Sequence, residues 1–389
     1  RGLGDVYKRQ TEMRIGFDGK RAVQNFTGLG NYSRYVADIL CHFYPENDYV
    51  LYAPKKRENK RMNLLTGQYR QLTLAYPATS FWKKLSSLWR VWGITSQLEK
   101  EGIELFHGLS NELPLNIHKS RIKSIVTIHD LIFLRYPQYY QSIDRKIYTY
   151  KFRKACENAD KIIAISECTK RDITRYFNIP DDKIEVVYQG CDVSFTHPVT
   201  EEKKEEVRKK YQLPDHYILN VGSIEERKNI LAAVQALPML PQHIHIVIVG
   251  RRTGYTKKVE QFIKDNGLGE RVHIISNVPF NDLPAFYQSA EIFVYPSRFE
   301  GFGIPIIEAL YSGIPVVAAT GSCLEEAGGP DSIYVNPDDI TGLADAFKQI
   351  YSNSDKRKNM VEKGREFAKR FSEKQQSEEI INIYKKLIR

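Results

Sequence analysis

The chain has 389 residues, 42% of them hydrophobic and 27% charged, which at roughly 100–200 residues per domain gives two or three domains with sizeable cores. That composition excludes a disordered or collagen-like chain, and no run of about 18 apolar residues offers a spanning helix. The net charge of +10 is unevenly held: residues 13–192 carry 28 Lys and Arg against 19 Asp and Glu, whereas residues 193–389 carry 26 of each, so the first half is expected to meet something anionic.

Residues 1–12 show neither apolar periodicity nor the core of a signal peptide and read as a tag, a linker or a misassigned start. The first strand-like run is Arg14–Asp18, and further strands are expected at Tyr49–Tyr52, Leu105–His107, Ser124–Ile128, Lys161–Ala164 and Ile184–Val187. Between them lie segments with apolar residues three and four apart, such as Tyr32, Tyr35, Val36, Ile39 and Leu40. Strands alternating with amphipathic helices predict an α/β, doubly wound parallel sheet.

Three features of this half could carry chemistry. Thr27-Gly28-Leu29-Gly30-Asn31-Tyr32 falls between the first strand and the first helix, where Gly28 and Gly30 would let backbone amides touch a phosphate or an acceptor. It lacks the full Gly-x-Gly-x-x-Gly pattern, and Thr27 or Asn31 could serve only as a helix cap. Phe81–Trp92 places Phe81, Leu85, Leu88 and Trp92 on one helical face, with Trp82 and Trp89 alongside and Lys83, Lys84 and Arg90 adding charge. That face fits a membrane or lipid-linked acceptor, or simply its own domain. Thr127-Ile128-His129-Asp130 ends a central strand at the edge where open α/β sheets bind ligands. His129 there either donates to a sugar hydroxyl or is a packed histidine satisfied by the backbone.

A break falls near 190–214, through Gly190-Cys191-Asp192, Pro198 and the charged segment Glu201–Lys210. It divides the chain into an N-terminal Rossmann-like domain at 13–192 and a C-terminal one at 193–371. A helix at 372–389 would return to the first domain. Second-half strands are expected at Tyr217–Val221, His245–Val249, Val272–Ile274, Ile292–Tyr295 and Pro315–Ala318. After the first of them comes Gly222-Ser223-Ile224-Glu225-Glu226-Arg227-Lys228-Asn229, where Arg227 and Lys228 at a helix start could hold a diphosphate or merely be solvated. After Ile292–Tyr295 comes Ser297-Arg298-Phe299-Glu300-Gly301-Phe302-Gly303-Ile304-Pro305-Ile306-Ile307-Glu308-Ala309. A strand, a glycine turn and a helix N-terminus make an anion site, and Glu300 and Glu308 could line it at different depths as acceptors for sugar hydroxyls. Five scattered cysteines without a Cys-x-x-Cys pair argue against a disulfide framework or a zinc site and favour a reducing compartment.

Taken together, these residues resemble the retaining glycosyltransferases of family four, from Met13 to the C-terminus. Glu300 and Glu308, with seven residues between, match that family's E-x7-E motif, and Gly222–Asn229 resembles its diphosphate loop. Val187-Tyr188-Gln189-Gly190-Cys191-Asp192 resembles the segment leading into its linker. Ile15-Gly16-Phe17-Asp18, Thr27-Gly28-Leu29-Gly30 and Ile128-His129-Asp130 resemble the O-antigen mannosyltransferase subgroup.

The resemblance implies the GT-B fold, two Rossmann-like domains facing a central cleft, and a hexosyltransferase. Arg227 and Lys228 would neutralise a donor diphosphate, and Glu308 would hold the ribose. Glu300, with the amides near Phe302, Gly303 and Ile304, would contact the donor sugar. His129 would reach that sugar from the other domain, and Gly28 and Gly30 would form a loop facing donor phosphate and acceptor. It further implies a nucleotide-sugar donor, GDP-mannose favoured, with no metal or other cofactor. The acceptor would be a glycan or lipid-linked, and the protein would be cytoplasmic with possible peripheral membrane contact. Ser223 stands where some relatives place an arginine, and Gly329-Pro330 replaces the more usual Gly-Asp-Ala. The basic first half also admits a nucleic-acid binder, though no nucleic-acid motif is present, and a catalytically silent protein of the same fold would be expected to have lost these charged positions.

Overall fold

The computed structural model describes residues 13–26 and 28–388. Residues 1–12 and Thr27 therefore lie outside the described part, and with them the readings attached to that start and to a Thr27 cap. Two compact units result, one reaching to Tyr188 and regaining the chain at Glu373, the other Gln189–Ser372.

In the first unit seven parallel strands stand in the order β3-β2-β1-β4-β5-β6-β7. They are β1 (Arg14–Asp18), β2 (Asp48–Tyr52), β3 (Leu72–Ala75), β4 (Leu105–Gly108), β5 (Lys123–Ile128), β6 (Lys161–Ala164) and β7 (Ile184–Val186). The side chains of β1, β2, β4, β5 and β6 are largely buried on both faces, as expected for a parallel sheet covered by helices. One face packs on the helix Gly28–Phe43 and on the C-terminal helix Glu373–Ile388, which contributes Ile380, Ile381, Ile383 and Tyr384 to the core. The other packs on Trp89, Leu98, Phe133 and Phe152.

The second unit holds six parallel strands in the order β10-β9-β8-β11-β12-β13. They are β8 (Tyr217–Val221), β9 (His245–Val249), β10 (Val272–Ile275), β11 (Ile292–Tyr295), β12 (Val316–Ala319) and β13 (Ile333–Val335). The chain changes unit at Gln189, a few residues before the break read from sequence. The reason is local: the turn Val193–Thr196 carries Phe195, which is fully buried against Tyr287 and Phe280 of the second unit.

Two edge strands, β3 and β13, were not foreseen. Both are short, Leu-Thr-Leu-Ala and Ile-Tyr-Val, too few residues to set a strand pattern apart from its surroundings. The segment Phe81–Trp92 is not one helix. It breaks at Leu85, separating Ser80–Lys84 from helical backbone that runs on from Ser86 through Trp89–Gly93 to Lys100; Trp82 packs on Gly93 and Trp89 turns into the core. Phe81, Leu85, Leu88 and Trp92 remain exposed. Arg90 does not join that surface: its guanidinium turns inward to Asp18 and Glu112.

Candidate active site

Each sheet reverses its strand order once, at β1/β4 in the first unit and at β8/β11 in the second, and the carboxyl ends of strands at such a point are where open α/β sheets bind ligands. In the second unit that point brings together the loop after β8, with Arg227 and Lys228, and the loop after β11, with Glu300. The two loops are stitched: the Arg298 amide donates to the Arg227 carbonyl (2.9 Å), and Asn229 Nδ2 donates to the carbonyls of Pro296 (3.2 Å) and Pro337 (2.8 Å).

Glu300 lies between the two cations. Lys228 Nζ donates to Glu300 Oε1 at 2.8 Å and to the Tyr295 hydroxyl at 3.0 Å, and Arg227 Nη1 pairs with Glu300 Oε2 at 3.0 Å. Arg227 also donates to the Phe299 carbonyl. Burial would raise the Glu300 carboxyl, but Lys228 and Arg227 outweigh it and hold the group at about 2. Burial likewise opposes the charges of Arg227 and Lys228, and Glu300 more than compensates, raising both. Tyr295 is pushed up to about 12 by burial and by Glu300. Glu225 lies 3.7 Å from Arg227 and 3.7 Å from the exposed Arg251, so at neutral pH three cations meet two carboxylates and one positive charge is left over.

The helix Ile304–Ser312 begins beside this cluster without a side-chain cap and without an acidic residue in its first turn. Gly303 caps it at φ 137°, and an added Cβ would lie 3.2 Å from Leu324 and 3.3 Å from Ala327, so glycine is required by both backbone and space. Cys323 Sγ lies 2.9 Å from the carbonyls of both Glu300 and Phe302, fixing the same loop from behind. The Phe302 ring is buried against Phe371, so only its backbone is available to a ligand, as for Gly303; Ile304 is half-buried. Glu308 stands one turn into the helix and accepts from the Tyr287 hydroxyl at 2.6 Å. Burial pushes its carboxyl up to about 7, the Tyr287 hydroxyl opposing and Asp192 adding to the rise. Glu300 and Glu308 are thus opposites: one is held ionised by cations, the other is poised to titrate near neutrality. Tyr287, Tyr295 and Cys323 were missed as site residues in the sequence, where nothing distinguishes them from core residues.

In the first unit His129 sits at the carboxyl end of β5, buried. Its Nε2 is 2.9 Å from the Leu109 carbonyl and so carries the proton, and its amide donates to Asn111 Oδ1 at 2.8 Å. Burial lowers the imidazole to about 4, with the Leu109 carbonyl opposing, so the ring is neutral at pH 7. The Nε2–H expected for a sugar hydroxyl is committed to the backbone in this conformation. Gly28 and Gly30 form no loop; they open the helix Gly28–Phe43. Gly28 is exposed with open space around it, whereas a Cβ on Gly30 would meet the Asn25 carbonyl oxygen at 2.0 Å, so Gly30 serves a close backbone approach. Asn31 is not a cap: its Oδ1 accepts from Arg34 (2.7 Å) and Arg61 (3.2 Å).

Residues 201–367 match the family of glycosyl transferases group 1, and residues 33–195 match glycosyltransferase family 4. The chain is 30% identical over 289 residues to O-antigen chain mannosyltransferase B of Escherichia coli, 73% of this chain and 74% of that protein. It is 29% identical over 225 residues to O-antigen chain mannosyltransferase RfbU of Salmonella typhimurium, 58% of this chain and 60% of the relative. It spans 31% of serotype-specific mannosyltransferase WbdA of Escherichia coli, at 27% identity over 252 residues. Among solved structures, Anabaena HepE in complex with UDP and glucose superposes with a TM-score of 0.75 at 17% identity, covering 96% of this chain and all of the other. WaaG, a glycosyltransferase involved in lipopolysaccharide biosynthesis, gives 0.69 at 15% identity, covering 95% and 99%. Both share the fold. With two parallel-sheet units of the GT-B kind and both family models matched in order along its length, the chain belongs to the family 4 glycosyltransferases and resembles the O-antigen mannosyltransferases.

Proposed function

We propose that the protein moves a hexosyl group, mannosyl favoured, from a nucleoside-diphosphate sugar to a glycan or lipid-linked acceptor, with retention at the sugar. The observation that carries this is the surplus positive charge of Arg227, Lys228 and Arg251 over Glu300 and Glu225, beside the uncapped start of the helix Ile304–Ser312. When the glycosyl–phosphate bond breaks, negative charge grows on the diphosphate. Cations and amides fixed in advance lower that barrier without reorganising at the moment of reaction.

Arg227 and Lys228 are assigned to the diphosphate, sharing themselves between it and Glu300. The amides of Phe302, Gly303 and Ile304 and the Glu300 carboxylate are assigned to the donor sugar, and Glu308 to the ribose hydroxyls. Glu300 is not assigned as a nucleophile. A double-displacement mechanism needs a carboxylate with electron density to give, and this one is spent on two cations. Retention then follows from attack on the same face of the sugar, with the departing phosphate taking the acceptor proton. His129 is assigned to the transferred sugar, with Gly28 at an exposed helix start available to phosphate or acceptor. In this reading charge neutralisation rests on side chains and needs no metal.

Guanine as the donor base is supported by the likeness to mannosyltransferases; Anabaena HepE, by contrast, was solved with UDP. Thermal-shift titration with GDP-mannose, UDP-glucose and an ADP-sugar separates them: a ligand that binds only the folded state raises its melting temperature. Selective stabilisation by GDP-mannose is expected. Selective response to UDP- or ADP-sugars moves the donor assignment, and no response to any of them overturns the reading.

Membrane contact is proposed through Phe81, Leu85, Leu88 and Trp92, which stay exposed next to Lys83 and Lys84. Among the described residues no helix is long and apolar enough to cross a membrane. Co-sedimentation with phosphatidylglycerol vesicles, lost in Trp92→Ser, would support peripheral attachment; recovery in the supernatant would refute it.

A further inference from the structure

The core of the first unit contains a chain of polar side chains that the proposed reaction does not use. Tyr384, on the C-terminal helix, has its hydroxyl 2.6 Å from His107 Nδ1. His107 Nε2 is 2.8 Å from Thr127 Oγ1, and Thr127 Oγ1 is 3.3 Å from the Tyr32 hydroxyl. The Tyr32 ring stands edge-on to the His129 ring, with centroids 4.6 Å apart at 90°. Tyr384, His107 and Thr127 are fully buried, and Tyr32 keeps 7% exposure. We propose that Tyr384 is a positioning residue: through His107 and Thr127 it fixes the Tyr32 hydroxyl, and through the Tyr32 ring it fixes the orientation of His129.

The direction of the chain follows from proton counting. Burial and the neighbouring His129 lower His107 to about 3, so its ring is neutral and holds one N–H. Two arrangements are possible. If His107 carried its proton on Nδ1, the fully buried Tyr384 hydroxyl would hold the proton left without an acceptor in the chain. If it carries the proton on Nε2, Tyr384 donates to Nδ1, His107 donates to Thr127, and Thr127 donates to Tyr32. The one leftover proton is then that of Tyr32, which keeps 7% exposure as a residue where Tyr384, His107 and Thr127 keep none. The second arrangement is the stable one. The helix reaches this place because Ile380, Ile381 and Ile383 share its buried face, and Gln376 donates to the Tyr188 carbonyl at its start.

The positioning role rests on the reading of His129 as a residue that acts on the transferred sugar; the geometry of the chain does not. Tyr384→Phe keeps the ring and removes only the donor. Expected results are a fall in kcat of about fivefold, the value of one hydrogen bond, with KM for the donor unchanged. In long-range proton–nitrogen spectra of the 15N-histidine-labelled protein, His107 should be protonated on Nε2, and the His129 signals should move on Tyr384→Phe. Thr127→Val has the same shape, cuts the chain in its middle, and should move the His129 signals too, so a misfolded Tyr384 variant does not protect the proposal. Unmoved His129 signals in a folded variant overturn it whatever the rates do, as does kcat unchanged in Tyr384→Phe while His129→Ala abolishes turnover. If His129→Ala leaves turnover intact, the reading of His129 is the part that fails, and the spectra alone decide the chain.

Discussion

The strand-order reversals of the two sheets carry ion clusters of different charge balance. At β1/β4 Arg90 lies between two carboxylates, Asp18 and Glu112, bonding Asp18 Oδ1 at 3.2 Å and Glu112 Oε2 at 2.6 Å, and Lys151 lies 3.8 Å from Glu112, so two carboxylates meet two cations. At β8/β11 Glu300 lies between Arg227 and Lys228, and Glu225 between Arg227 and Arg251, so two carboxylates meet three cations. The first cluster has saturated its cations and serves to hold β1 and the loop after β4 together. The second keeps positive charge in hand, which an arriving diphosphate can use. The same position in the same kind of sheet is therefore structural where the charges balance and functional where positive charge is in excess.

The largest effect expected from this comparison is on stability. Arg90→Ala leaves the buried Asp18 without its cation and the half-buried Glu112 with Lys151 3.8 Å away, and breaking such a pair costs about 3–5 kcal/mol. Chemical denaturation should show that loss in the first unit, while donor binding by the second unit persists. A variant as stable as the parent would show the cluster to be solvated and the contrast empty.

Next in size is Lys228→Ala, which removes the cation that donates to both Glu300 and Tyr295. Truncating one partner of a partly buried charged pair costs about 2–5 kcal/mol, so donor affinity by calorimetry should fall by about thirtyfold or more. An unchanged affinity would place the diphosphate elsewhere.

The smallest effect is a pH dependence. The Glu308 carboxyl is raised from 4.5 to about 7, so the folded state keeps a proton that the unfolded state releases. Its contribution to stability is complete below pH 4.5 and is lost as the pH rises through about 7. Donor binding runs the other way, because ribose hydroxyls donate to a carboxylate. Affinity should rise across pH 6–8 by up to about tenfold and become flat in Glu308→Gln. A parent curve as flat as the variant's would release Glu308 from the ribose.

Much of this was legible in the sequence because it is local. Arg227, Lys228, Glu300 and Glu308 follow strands that announce themselves as apolar runs, and glycines mark the turns between. What stayed hidden depends on distant pairing. Nothing near Arg90 reveals that it would fold inward to Asp18, 72 residues away. Nothing near Tyr384 reveals His107, 277 residues earlier. The edge strands β3 and β13 escaped because four and three residues are too few to establish a period. His129 shows the limit on the functional side: its place at a strand end could be read, but the bond from Nε2 to the Leu109 carbonyl could not.

The most direct test compares GDP with guanosine by calorimetric titration of the parent protein and of Lys228→Ala. A second cluster with spare positive charge predicts that the parent prefers GDP by about a hundredfold or more and that Lys228→Ala erodes most of that preference while guanosine binds both alike. An equal preference for GDP in the two proteins would contradict it.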